Sequence, residues 1–310
     1  MNKQNLQFLT IILTAAIIAV GCNEITQTPV PAGIETCELT GGRTISYMEY
    51  GQKDGIPVLY FHGFPGSHED VHLFNGAGIA DKLNIRLIAI NRPGYAGSGS
   101  ALGRTLPDWT DDVKELAVHM DLDSFSILGY SGGGPFALAC AFAMPEQIHR
   151  VAIVSGMGPW DAPESKKGMA MTIPKAPKLS LGGMVKTMEK KPEKIEANMK
   201  KNMPEADLLV LEDPGMTEAF MNTLHMSLGN GYEGALQDAK IYKNEWGFDL
   251  SRVEIPVYLY HGGEDLNVKV ETANYVLEQI PGCRAEIARE EGHLSLIVNQ
   301  AEEILEILIK

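Results

Sequence analysis

Cysteine is scarce in this chain: four residues in 310, at Cys22, Cys37, Cys140 and Cys283, with no Cys-x-x-Cys pair and no cluster of histidines. No spacing that would hold a metal ion is therefore present, and no cofactor is implied. Cys37 and Cys283 lie near opposite ends of the sequence, in what should be distant strands, so no disulfide is expected between them even in an oxidising compartment. Positive charge is in deficit, with 26 Lys and Arg against 40 Asp and Glu and a net charge of −14. A nucleic-acid surface needs a basic footprint, so that class is excluded, and solubility is the simpler use of the acidic excess. One apolar or neutral run, Leu6 to Val20, opens the chain and is too short to span a bilayer comfortably. What remains is 45% apolar and 21% charged, a globular composition. At this length one large α/β domain with an inserted subdomain fits better than two independent domains.

Taken in order, residues 38–50 alternate around Gly41-Gly42 and predict a β-hairpin. Ile56 to Phe61 and Arg86 to Ile90 are short runs apolar on both faces, as buried parallel strands require. Between them residues 72–83 predict a helix, and residues 106–120 a second, with Asp108 near its start favouring the helix dipole. Three more strands are expected at 151–155, 257–260 and 285–288, and an amphipathic helix closes the chain over 294–309. Strands alternating with helices give a mostly parallel sheet covered on both faces, with ligands at the carboxyl ends of the strands.

The rhythm breaks between Pro159 and Trp246, which hold helical stretches and no good strand. Ten of the 14 methionines lie between Met157 and Met226, and residues 166–201 hold ten lysines. The expected division is a core of residues 37–158 and 247–310 carrying a helical cap of residues 159–246 folded over the strand ends. Methionine suits an adaptable apolar surface, and equally well the filling of the cap's own small core. The lysines read as a solvated face.

The stretch from Ser124 to Pro135 leads an apolar strand into Gly129-Tyr130-Ser131-Gly132-Gly133 and then into a helix to Met144. A serine hydroxyl is a weak nucleophile and must be presented on a sharp turn where a base and a carbonyl can both reach it. Gly129 and Gly133 relieve the crowding of strand against helix, and Pro135 needs no backbone donor in the first turn. The amide of Gly132 is placed to donate to a developing oxyanion. Cys140, on that helix, is expected to pack as a small apolar group. For the base, His293 follows the last strand and a glycine turn, whereas His119 and His149 read as surface residues and His225 lies in the cap. For the acid, Asp265 ends a loop after a strand, with Glu264 as a neighbour that could be mistaken for it and Asp161 as a weaker substitute.

Together His62-Gly63-Phe64-Pro65-Gly66-Ser67, Arg92-Pro93-Gly94-Tyr95, Gly129-Tyr130-Ser131-Gly132-Gly133, His261-Gly262-Gly263-Glu264-Asp265 and Gly292-His293 resemble the α/β-hydrolase superfamily, from about Cys37 to the C-terminus. The resemblance implies that Ser131 attacks a carbonyl, that His293 takes its proton and delivers it to the leaving group, and that Asp265 orients His293. It also implies oxyanion donors at the amides of Phe64 and Gly132, with His62 shaping that loop rather than acting as a base. Asn91 departs from the aspartate that many relatives carry there. Dehalogenases and epoxide hydrolases of this fold use an aspartate nucleophile, which Ser131 argues against.

The expected function is a serine hydrolase working through an acyl-enzyme, a carboxylesterase for small to medium apolar acyl esters. Lactonases, peptidases, perhydrolases and carbon-carbon bond hydrolases of the fold use the same three residues, and a ligand-binding or signalling protein with little turnover is the alternative from another class. At the N-terminus, Lys3, the apolar run and Ala19-Val20-Gly21-Cys22 resemble a bacterial lipoprotein signal peptide, with Ala19 where leucine is more frequent. That resemblance implies a signal peptide over residues 1–21, lipidation of Cys22, a tether over 22–36, and a membrane-anchored, extracytoplasmic protein of the bacterial envelope. An ordinary secretory signal with an incidental cysteine is the other reading.

Overall fold

The computed structural model describes residues 33–166 and 176–310; the expected signal peptide, Cys22, most of the tether, Met169 and Met171 lie outside them. The described chain forms one eight-stranded sheet in the order β1-β2-β4-β3-β5-β6-β7-β8. The strands are β1 (Glu35–Glu38), β2 (Thr44–Gly51), β3 (Ile56–Phe61), β4 (Ile85–Ile90), β5 (Phe125–Tyr130), β6 (Ile148–Val154), β7 (Val257–Gly262) and β8 (Arg284–Ala288). β1 and β2 form the antiparallel hairpin, β2 pairs antiparallel with β4, and every pairing from β4 to β8 is parallel. The hairpin strand begins at Glu35, a few residues before its expected start, because Cys37 faces the core while its neighbours stay exposed.

The apolar runs are explained by two cores, one on each side of the sheet. Leu59, Phe61, Ile127, Val151, Ile153 and Leu259 point to one face. Val58, Tyr60, Leu128, Ala152, Val154 and Tyr260 point to the other. Alternate residues of a strand face opposite ways, so a strand buried on both sides has no polar position to spare. On the first face lie α2 (Leu106–His119) and α3 (Gly134–Ala143), with Trp109, Phe136 and Cys140 fully buried. The second face carries α1 (Gly76–Leu83) and the C-terminal helix α10 (His293–Leu308), which lays Leu296, Ile297, Ala301, Ile304 and Leu305 on the sheet.

Two local expectations change. The helix expected over residues 72–83 is two elements, a 3₁₀ helix His68–Phe74 capped by Ser67 and then α1, because Asn75 between them takes a left-handed φ of 51°. A helix that the strand pattern did not reveal, α9 (Val270–Gln279), connects β7 to β8 and buries only Thr272, Ala273 and Val276. At the start of α2, Thr105 and Asp108 form a capping box, which adds to the dipole contribution of Asp108.

Between β6 and β7 the described chain is helical: α4 (Pro177–Lys190), α5 (Pro192–Lys200), α6 (Glu205–Val210), α7 (Pro214–Leu228) and α8 (Glu233–Ile241). Its own apolar cluster joins Leu181, Met188, Ile195, Leu224, Leu228 and Ala235 to Tyr95 and Ala96, with Met184, Met199, Met221 and Met226 packed around it. Met184, Met188, Met199, Met221 and Met226 therefore pack in its interior, whereas Met203 and Met216 pack with Leu211 against Leu73 and Leu294.

Candidate active site

β5 delivers Ser131 at φ 51°, a left-handed backbone that a residue with a Cβ occupies only under strain. The turn is held from both sides. A Cβ on Gly133 would overlap the carbonyl of Phe61 at the end of β3, and one on Gly129 would lie 2.9 Å from the Cβ of Ala137 on α3. Glycine at both positions is what lets the strand turn into the helix this tightly. Ser131 is 4% exposed.

The imidazole of His293, the first residue of α10, reaches this serine. Its Nε2 lies 2.9 Å from Ser131 Oγ, and its Nδ1 lies 2.7 Å from Asp265 Oδ2. With Nδ1–H donating to the carboxylate, Nε2 is free to accept the serine proton. Asp265 Oδ1 accepts from the amides of Asn267 (2.8 Å) and Val268 (2.9 Å), which fixes the carboxylate in its loop after β7. Burial raises the Asp265 pKa, but the neighbouring His293 and these donors outweigh it and leave the carboxyl below its usual range. For His293 burial acts the other way and disfavours protonation, yet Asp265, followed by Asp207, holds its pKa above the ordinary value. Such a chain can withdraw the serine proton as the oxygen attacks an acyl carbon, then return it to a leaving group.

Phe64 abuts the elbow: a Cβ on Gly132 would lie 2.7 Å from the Phe64 Cβ. The loop from Gly63 is clamped by two side chains, and the elbow by a third. Asp70 Oδ2 accepts from Gly63 N at 2.8 Å and Arg92 donates to the carbonyls of His62 and Gly63, while Tyr242 OH donates to Gly132 O of the elbow at 2.9 Å. Arg92 is fully buried and is neutralised by Asp238 of α8, which also accepts from Arg104 and from Tyr95 OH. The segment between β6 and β7 thus holds the Gly63 loop through Asp238 and Arg92.

Ser131, His293, Asp265, Phe64 and Gly132 are all brought together. The other candidates lie apart from them. Glu264 and Asp161 are exposed, as are His119, His149 and His225, although His149 stands on β6 rather than in a loop. His62 is buried with Nδ1 donating to Gly63 O (2.9 Å) and Nε2 accepting from Arg92 N (3.2 Å), so both nitrogens are committed to the loop. Its imidazole is held neutral by burial and by Arg92. Asn91 accepts from His68 N at 2.8 Å and donates to Ser46 Oγ at 3.0 Å; an ionised aspartate could not donate there, and the Ser46 hydroxyl already donates to Ala96 O. Cys37, Cys140 and Cys283 are free thiols, and Cys37 on β1 and Cys283 just before β8 lie at opposite edges of the sheet. Among the described residues no cluster of His, Cys, Asp and Glu could hold a metal ion. Asp70, Asp207 and Asp238 were not singled out by sequence, because each lies outside the strand-end motifs.

A groove of about 1260 Å³ lies between α4 and α8, floored by Val185, Leu236 and Ala239 and edged by Lys178, Lys186 and Lys240. Its lining includes neither Ser131 nor His293 nor any methionine.

A family profile described as alpha/beta hydrolase fold matches residues 56–300. Over 145 residues the chain is 30% identical to the dihydrolipoyllysine-residue acetyltransferase component of the acetoin cleaving system of Pseudomonas putida, a match covering 46% of this chain and 37% of that one. The chain therefore spans well under half of that relative's length. It is 24% identical to lipase 1 of Psychrobacter immobilis over 277 residues, covering 85% of this chain and 79% of the lipase. The esterase of Exiguobacterium antarcticum superposes with a TM-score of 0.65 at 19% identity, over 88% of this chain and 97% of that one. With its profile match extending over more than half of the sequence, the chain belongs to the alpha/beta hydrolase fold family.

Proposed function

We propose that the protein is a serine hydrolase that cleaves carboxylic esters of small to medium apolar acyl groups through an acyl-enzyme. The observation that carries this reading is the unbroken hydrogen-bond chain Asp265–His293–Ser131, at 2.7 and 2.9 Å, ending on a serine with left-handed backbone. Ser131 is the nucleophile, His293 the general base and then acid, and Asp265 the group that sets the imidazole tautomer. The amides of Phe64 and Gly132 receive the oxyanion, a contribution worth about 10²–10³ in turnover per donor in such sites. The preference for apolar esters is supported by Phe64, whose ring packs against both the sheet core and the cluster of Leu181, Met188 and Leu224. The segment from 159 to 246 then acts as a cap that forms one wall of the substrate site. The lipase and esterase names of similar proteins agree with this chemistry.

The test is a fluorophosphonate probe followed by a series of aliphatic esters. The probe should label Ser131 and leave Ser131→Ala unlabelled, and kcat/KM should rise by up to roughly fourfold per added methylene until the cavity is full. Labelling at another serine would refute the assignment of the nucleophile. A flat chain-length profile would move the substrate to small or polar acyl compounds, and labelling without turnover on any ester would favour a binding role.

The N-terminal sequence supports a further part of the proposal, that Cys22 carries a lipid anchor on the outer side of a bacterial membrane. Cys22→Ser should move the protein from the membrane fraction to the soluble one. Unchanged partition would remove the anchor.

A further inference from the structure

Asp207, on α6, lies 86 positions before His293 and is 1% exposed. Its carboxylate accepts three backbone N–H groups: His293 N at 3.1 Å, Leu294 N at 2.9 Å and Ser295 N at 2.8 Å. These are the first three residues of α10, and the first amides of a helix have no acceptor within it. A side chain at the preceding residue normally supplies that acceptor, but here the residue is Gly292. A Cβ on Gly292 would overlap Asp207 Oδ1, so the glycine leaves the space that the carboxylate fills. The reciprocal half of the cap is in place, with Gly292 N donating to Ser295 Oγ at 2.8 Å. The cap of the helix that begins with His293 is thus completed from a segment far away in the chain.

This placement bears on the chemistry because a helix N-terminus carries a partial positive charge, which opposes the imidazolium that a general base must become. The groups that face the imidazole are Ser131 and Tyr130 from the end of β5, His261 and Asp265 from β7 and its loop, and Asp207 from α6. Two of these are carboxylates, and one of the two sits on the helix end. We propose that Asp207 is a positioning residue for the reaction of Ser131, holding the peptide of His293 in place and offsetting the field of α10 so that the imidazole can accept the proton. The proposal rests on the serine-hydrolase reading above. It adds to that reading a fourth side chain, contributed by the inserted segment.

The experiment compares Asp207→Asn and Asp207→Ala with the wild-type chain. The ring pKa of His293 is read by NMR titration, its signal identified by loss in His293→Gln, and kcat and KM are measured across pH on an ester. Asp207→Asn removes the charge but keeps Oδ1 for Leu294 N and Ser295 N. It should lower the His293 pKa and the acid limb of kcat/KM by about one pH unit, with a plateau kcat within about tenfold of wild type. Asp207→Ala should give the same displacement and cut kcat by about 10- to 100-fold while KM changes by less than about threefold. Should the alanine variant fail to fold, the isosteric asparagine variant decides the matter alone. A folded Asp207→Asn protein in which His293 titrates as in wild type would overturn the proposal, and so would a change confined to KM. A chain that hydrolyses no ester refutes the hydrolase reading instead, and the NMR titration still decides whether Asp207 governs His293.

Discussion

The sheet and the segment inserted between β6 and β7 contribute to the site in different ways. The ends of the strands and the start of α10 hold the proposed site groups: Ser131 after β5, Asp265 after β7, His293 after β8 and Phe64 after β3. The insertion holds none of them. It sends in two buried carboxylates, Asp207 onto the helix of His293 and Asp238 onto Arg92, whose guanidinium grips the loop before Phe64. The sheet is built by apolar area and carries the proposed reacting groups, whereas the insertion adds to its apolar contacts a few desolvated charges that align them. Area is spread over many residues and tolerates single losses, but a buried charge deprived of its partner is costly.

That contrast can be broken by substitution, and the largest effect belongs to the sheet. Asp265→Asn should keep the fold and lower kcat by about 10⁴-fold, because the amide stabilises the wrong imidazole tautomer. Asp161→Asn, at an exposed position at the start of the insertion, should change kcat by less than about twofold. Steady-state kinetics on one ester decides between them, and a reversed order would move the acid to Asp161. Next comes the insertion's attachment. Asp238→Ala leaves Arg92 buried without its carboxylate and should cost about 3–5 kcal/mol in urea unfolding, with kcat reduced through the loosened loop of Phe64. A loss below about 1 kcal/mol would mean that the insertion is held by its apolar cluster alone. The smallest effect concerns pH. The base must be neutral in the free enzyme, and the His293 pKa lies above its ordinary value of about 6.5, so the acid limb of kcat/KM should fall above that pH. A limb below pH 6.5 would show that burial of the imidazole outweighs Asp265.

The strands were legible because a parallel strand buried on both faces leaves a continuous apolar run, as in Ile56–Phe61 and Phe125–Tyr130. The groups of the site were legible because the elbow, the Gly-His pair and the loop of Asp265 are each local, short and placed where a strand ends. α9 was missed because its buried face is only Thr272, Ala273 and Val276, too small and mixed to mark a helical stripe. The residues 72–83 were read as one helix because nothing in their periodicity reports that Asn75 turns left-handed. Asp207 and Asp238 left no local mark at all. Their partners lie 86 to 88 and 134 to 146 positions away, so only the folded chain pairs them. The methionines carried an ambiguous signal: Met184, Met188, Met199, Met221 and Met226 pack with Leu181 and Leu224, and Met203 and Met216 pack with Leu73 and Leu294.

The trio of Arg92, Arg104 and Asp238 also sets a rule for inheritance and for engineering. Each member is fully or almost fully buried, and the carboxylate serves both guanidinium groups, so no one of the three letters can drift without penalising the other two. A graft that exchanged residues 159–246 for a helical segment from another protein would therefore fail as a free swap, however well its apolar face matched, unless it brought along a carboxylate at the depth of Asp238.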